Sequence, residues 1–523
     1  MAEPLVAATP APPVPLTRRA SLNGIAFALD LGVKTGVGLV LTPLLVDRLG
    51  AGLFGVWEML GRLAGYLAAI GGRPAEALRL VVANRQAAPA ADHRRALGAA
   101  LVVWLIFLPL AVAAGAVIVW VAPAITGAAP ALHATLRLAA ALTLGATLLA
   151  CLAILPESAL QGMNLGYKRM ELQAALNVVG GAFTAGAVYA GLGLVGVAGA
   201  QIAIAGVSGL CFWVLARTYV SWFGVARPAR ADTRHLLRLS GWLSGGDLIS
   251  KLLLASDVLI LGAVVSPTAV TTYVLTAYAP RAAVTIHGNA MGAAMPGLGG
   301  LLGEHQYGRA QLVRRELLAL TWLFATAVGT TILLWNRSFV ALWVSSNHYA
   351  GSDVDLLIVL IAVQTAFIRS DAYIIDAALQ SWLRVVISAA AAVLTVSLAI
   401  PLTRAFGLTG LCLGLLAGRM LQTLTYPAVA RRCVDDHTPA LPVGFARGFL
   451  VTAVLFGAAS ALGRHVVAAD WLVWVAGVAV TLALSAVGAF AIGLSRESQH
   501  AVLRRATEVL RRPRPRPRPR PGP

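Results

Sequence analysis

From residue 20 to residue 494 the chain alternates long apolar runs with short polar connections, and runs of about twenty apolar residues are what a helix needs to cross a bilayer. No water reaches the hydrocarbon, so each run must satisfy its own backbone N–H and C=O groups by folding as a helix. Of the 523 residues, 58% are hydrophobic and 12% are charged, with a mean hydropathy of +0.79. That balance excludes an ordinary soluble domain and predicts an all-α polytopic membrane protein. The net charge of +19 does not point to nucleic acid, because the bases lie between apolar runs rather than on one polar face. No nucleic-acid partner is expected.

Fourteen runs read as transmembrane spans, at residues 20–46, 52–71, 97–121, 134–155, 171–191, 193–216, 238–264, 268–297, 316–335, 353–378, 383–404, 407–430, 443–463 and 470–494. The arginines and lysines test this count, since cytoplasmic loops are the basic ones. With the N-terminus inside, the even loops carry Arg79, Arg85, Arg94, Arg95, Lys168, Arg169, Arg217, Arg227, Arg230, Arg234, Arg309, Arg314, Arg315, Arg384, Arg431 and Arg432. The odd loops carry only Arg48, Arg337, Arg404 and Arg464. A missed span would invert the bias from that point on, so an even count with both ends cytoplasmic is expected.

The expected divisions are a disordered cytoplasmic tail at 1–19, an N-lobe of spans one to six at 20–217, a linker at 218–237, a C-lobe of spans seven to twelve at 238–430, two extra spans at 431–494 and a basic tail at 495–523. The first tail lacks the short apolar core of a signal peptide. The last ends RRPRPRPRPRPGP, where alternate prolines forbid a helix. It reads either as a segment that lies against anionic lipid headgroups or as a dispensable low-complexity end. Cys151, Cys211 and Cys412 sit in apolar runs and Cys433 in a basic loop, a pattern of neither disulfides nor metal ligands. No cofactor is expected.

A repeat runs through the spans. A shift of 217 residues carries Asp30 and Lys34 of DLGVK onto Asp247 and Lys251 of DLISK, and a shift of 219 carries Arg62 onto Arg281. The chain has only three lysines, and two of them fall in these matching places. Both copies run outward, so the repeat is parallel, related by an axis along the membrane normal. The spacing of four puts each aspartate and its lysine on one helix face, close enough to pair. Each pair lies roughly ten residues from its helix start, about 15 Å deep and near the bilayer midplane, where a lone charge costs on the order of 3 kcal/mol. Two readings follow: self-paired ions that lock helix packing, or charges that face a water-filled central cavity. Glu58 and Arg62, Asp257, Arg281 and His287 lie in the same four spans. Arg369 and Asp371 in the tenth span are expected to snorkel toward the cytosol, and His287 to be a packed, hydrogen-bonded residue.

The passages LTPLLVDRLGAGLFGVWEMLGRLAGYLAAIGG, PESALQGMNLGYKRMELQAALN and LASDVLILGAVVSPTAVTTYVLTAY resemble bacterial polysaccharide (O-antigen, Wzx-type) flippases of the multidrug/oligosaccharidyl-lipid/polysaccharide (MOP) exporter superfamily. The resemblance covers residues 20–430, with spans thirteen and fourteen as the pair that some members add. It implies two six-helix lobes around a central cavity and alternating access. It also implies movement of an isoprenoid pyrophosphate-linked oligosaccharide from the inner to the outer leaflet of the bacterial cytoplasmic membrane, with the polysaccharide polymerase machinery as a partner. In related lipid II flippases arginines of the first, second and eighth spans form a cationic cavity. Arg62 and Arg281 match the second and eighth positions, whereas the first is met only approximately, by Lys34, a point charge rather than a bidentate fork.

The expected substrate-binding residues are therefore Arg62, Arg281, Lys34 and Lys251. Asp30, Asp247, Asp257 and Glu58 are expected to pair with these charges or to take up a coupling proton or sodium ion. A lipid II flippase and a multidrug or cation exporter of the same superfamily are the alternatives. A membrane-embedded glycan enzyme is disfavoured because the exterior loops are short, and no G-x-x-x-x-G-K-[ST] phosphate loop is present.

Overall fold

The computed structural model describes residues 16–436, 445–496 and 499–500. The N-terminal tail expected at 1–19 lies outside the described residues up to position 15, and residues 16–19 already belong to the first helix. The basic tail expected at 495–523 lies outside them except at 495–496 and 499–500. The chain divides into two compact units, Met1–Leu248 and Ile249–Pro523.

The first unit holds α1 (Leu16–Ile70), α2 (Pro74–Asn84), α3 (Ala90–Ile125), α4 (His133–Gly162), α5 (Gly166–Tyr189) and α6 (Gly193–Tyr219), and the division falls within α7 (Arg230–Leu254). α1 contains the first two expected spans, separated at Gly50, whose φ of 77° and ψ of 159° break the helix. Only glycine enters that region without a Cβ penalty. The core gathers Leu78 and Val82 of α2, Val103 of α3, Leu160 of α4 and Phe212 of α6.

The second unit continues with α8 (Ser256–Val264), α9 (Pro267–Thr276), α10 (Tyr278–Gly292), α11 (Met295–Gly303), α12 (Tyr307–Trp343), α13 (Ser352–Ala377), α14 (Ser381–Cys433), α15 (Phe445–Gly463) and α16 (Trp471–Gly488). α14 turns at Gly407, φ 57° and ψ −132°, and closes as a tight antiparallel hairpin. Gly410, Gly414 and Gly418 repeat every fourth residue and lie against Leu402, Ala399 and Thr395, so any side chain there would strike the facing backbone. The expected spans at 383–404 and 407–430 are the two arms.

Ten helices among the described residues are long and apolar enough to cross a membrane, two of them the bent α1 and α14. The expected continuous spans at 238–264 and 268–297 are instead broken into α7 to α11. Pro280 explains one break. It has no N–H to give the carbonyl of Thr276, and the buried Asn336 Nδ2 donates to that oxygen at 2.9 Å.

Element order repeats between the units. A short helix led by proline (α2, α11), a long helix (α3, α12), a 3-10 turn, a helix (α4, α13) and a reversal into the next helix (α5, first arm of α14) occur in both. Each reversal uses a non-glycine residue in the left-handed region, Asn164 at φ 59° and Leu379 at φ 58°. An acid on the incoming helix also meets an arginine on the outgoing one in both cases. Arg169 reaches Glu157 at 2.6 Å and Arg384 reaches Asp376 at 2.8 Å.

Candidate functional site

In the first unit α5 lies on α1 through Gly181, where a Cβ would come within 2.8 Å of Val37. This close approach brings Asn177, one turn earlier, against Asp30, and Asn177 Nδ2 donates to Asp30 Oδ1 at 3.0 Å. A further turn back, Gln173 Nε2 donates to Asn177 Oδ1 at 3.1 Å. Asp30 is thus held by an amide of α5 and not by its i+4 lysine. Lys34 is exposed on α1, and among the described residues no carboxylate lies within ion-pair distance of it. Self-pairing of Asp30 with Lys34 is therefore corrected: helix packing gives the carboxylate to Asn177.

Asp247 takes a different partner again. Arg73, in the turn before α2, places Nη1 at 3.1 Å from Asp247 Oδ1, while its backbone N–H donates to Ser240 Oγ at 3.0 Å. Arg62 and Glu58 stand one turn apart on α1, with Nη2 and Oε2 at 3.7 Å. The buried Arg62 Nε has no hydrogen-bond partner. On another part of α5, Phe183, Gly186 and Ala190 line a groove of about 650 Å³ with Leu142 and Val195, whose walls carry no charged side chain.

In the second unit Asp257 is buried at 5% exposure. It accepts from Arg281 Nη2 at 2.8 Å, from Tyr273 at 2.9 Å and from the Val258 N–H at 2.8 Å. The Arg281 guanidinium also lies 5.1 Å from the Tyr273 ring centroid. Arg281 is a partnered charge. Lys251 is half-buried on α7. Arg419 is buried and donates to Thr365 and to the carbonyl of Leu253.

His287 is buried with Ser370 at 3.2 Å and Thr321 at 3.4 Å, the packed role expected of it. Asp371 does not snorkel: it is buried and meets the buried Arg314 of α12 at 3.1 Å. Arg369 extends to the carbonyl of Val284 at 3.4 Å. At the far end of α13, Asp355 is buried and accepts from Asn336 at 2.7 Å and from Tyr349 at 3.0 Å. Burial first, and then the Asp355 charge, hold the Tyr349 phenol well above the usual tyrosine range.

Among the described residues no group of three or more histidine, cysteine or acidic side chains is placed to hold a metal ion. Sequence reasoning missed Gln173, Asn177, Arg73 and Tyr273. The two amides at a spacing of four were visible, but nothing in one sequence says which helix they face.

The sequence profile of polysaccharide biosynthesis proteins matches residues 23–297. Among solved structures, the chain is similar to lipid II flippase MurJ in its inward-closed conformation, with 12% identity, 89% of this chain and 98% of that one covered, and a TM-score of 0.66. It is similar to a multidrug resistance MATE family transporter of the MOP superfamily, inward-facing, with 14% identity, 84% and 98% covered, and a TM-score of 0.58. A mutant of the Vibrio cholerae MATE transporter VcmN gives 14% identity, 82% and 100% covered, and a TM-score of 0.55. At such identities these likenesses establish the fold. A search of the curated proteins finds no match.

Proposed function

Because the chain belongs to the polysaccharide biosynthesis protein family, we propose that it is a flippase. Its substrate on this reading is an isoprenoid pyrophosphate-linked oligosaccharide, moved from the inner to the outer leaflet of the bacterial cytoplasmic membrane. The observation that carries the reading is Lys34, a cation in a spanning helix whose nearest acid on the helix face is held by another residue. An ammonium kept at membrane depth without a carboxylate costs free energy, and an anionic headgroup is the ligand that offsets it.

Arg62 and Arg281 add donors of their own while shared with Glu58 and Asp257, since a guanidinium carries five N–H groups. Lys251 supplies further charge. Glu58 and Asp257 then act as the exchangeable partners of Arg62 and Arg281, and a proton or sodium ion taken up by one of these acids, or by Asp30 or Asp247, would couple the cycle. The topology that goes with this function has fourteen crossings, with α1 and α14 each crossing twice and α7 to α11 completing two, and with both ends cytoplasmic. The sugars travel in water and the isoprenoid chain stays in lipid.

The test is transport by the reconstituted full-length protein. Lys34→Ala should lower the rate at least tenfold while the protein still inserts and keeps its thermal stability, and Lys34→Arg should retain most of the rate. Undiminished transport by a folded Lys34→Ala protein would remove the carrying observation. Cells depleted of the protein should accumulate the lipid-linked oligosaccharide on the inner leaflet, and normal surface glycan without accumulation would point to an exporter of small molecules instead.

A further inference from the structure

The strip on the α1–α5 seam has hydrogen-bonding capacity that its own contacts leave unused. Gln173 gives one N–H to Asn177, and Asn177 gives one to Asp30. Among the described residues, Gln173 Oε1, the second N–H of each amide and Asp30 Oδ2 make no further hydrogen bond. Gln173, Asn177 and Asp30 are half-buried, so these atoms are reachable from outside the helix pair. Polar atoms left bare in hydrocarbon cost several kcal/mol each, so the strip must meet water or a polar ligand.

Its chemistry selects the ligand. The strip alternates acceptors and donors along two helical turns, about 5.4 Å apart per turn. A phosphate accepts only, and would be repelled by the Asp30 carboxylate and by the amide oxygens. A sugar hydroxyl both donates and accepts, and can satisfy an amide oxygen, an amide N–H and a carboxylate in turn. One turn beyond Asp30, on the same face of α1, stands the exposed Lys34, which fits an anion and not a hydroxyl. Hydroxyl-binding groups and a cation therefore follow one another along the seam, in the order that a glycan and its pyrophosphate follow one another in the substrate.

We infer that Gln173, Asn177 and Asp30 form a glycan subsite that binds hydroxyls of the sugars nearest the pyrophosphate, beside Lys34. This rests on the flippase reading, and it adds that the protein recognises the sugar as well as the headgroup. Gln173 is the residue to change, because its hydrogen bond goes to Asn177 and to neither Asp30 nor Lys34, and its loss leaves the Asn177–Asp30 bond in place.

The experiment compares binding of two lipids to the purified full-length protein: undecaprenyl pyrophosphate without sugar, and the lipid-linked oligosaccharide extracted from cells depleted of the protein. Gln173→Met and Gln173→Leu should each weaken the sugar-bearing lipid by about 3- to 10-fold, the effect of one or two neutral hydrogen bonds. Both should bind the bare lipid like the wild type, whereas Lys34→Ala should weaken both lipids. Equal weakening of both lipids by the Gln173 variants, or no effect on either, overturns the glycan subsite. Failure of the wild type to bind either lipid overturns the flippase reading itself, a result that the Gln173 variants cannot mimic. Gln173→Met keeps the length of the side chain, so folding is preserved if Gln173→Leu proves too disruptive.

Discussion

At the scale of single residues, the charges in the spans differ in how completely they are compensated. Asp257 and Arg281 form the most fully bonded pair, with Tyr273 and a backbone N–H completing the carboxylate. Removing the cation alone strands a buried carboxylate, which costs on the order of 3 kcal/mol, whereas removing both charges together costs less. Arg281→Ala should therefore lower the unfolding free energy in detergent more than the double variant Asp257→Asn/Arg281→Ala does. A double variant that unfolds with the sum of the two single losses would mean that the two groups do not compensate one another. Lys34 is the contrasting case, and its substitution should alter transport with little effect on stability. That Asp30 would find Asn177 was not legible in the spacing, because a four-residue interval states only that Lys34 is near. Which neighbour takes the carboxylate depends on how closely α5 approaches, and that is set by Gly181.

At the scale of elements, the paired reversals α4–α5 and α13–α14 show the same construction carrying different residues. Asn164 tolerates the left-handed region through its short polar side chain, while Leu379 occupies it with its Cβ crowded against the backbone and 89% of the residue exposed. Leu379→Asn should stabilise the protein by about 0.5 to 1 kcal/mol, read as a raised midpoint of thermal unfolding. A lowered midpoint would show that the leucine makes contacts that outweigh the strain. Apolar period and length announced most of the long helices, including both arms of the α14 hairpin. The division of 238–297 into five helices was not announced. Its cause is tertiary, as at Pro280, where Asn336 from α12 accepts the role of the missing N–H donor toward Thr276.

At the scale of the whole molecule, the arginine and lysine bias of the loops predicts how the chain is oriented. In a cysteine-free background, Ala129→Cys should react with a membrane-impermeant maleimide in intact cells, and Ala87→Cys only after permeabilisation, both sites being exposed. The opposite pattern would invert the assigned sidedness, and labelling of both in intact cells would break the span count between them.

The sequence by itself determined that the chain is a helical membrane protein with an internal repeat and charges at membrane depth, because hydrocarbon permits few other backbones and local periodicity reports them. Only the tertiary structure decided the partners of those charges. Asp30 went to Asn177, Asp247 to Arg73 and Asp371 to Arg314, since the partner of a carboxylate depends on which helices meet and, for Asp30, on the glycine that lets them meet closely.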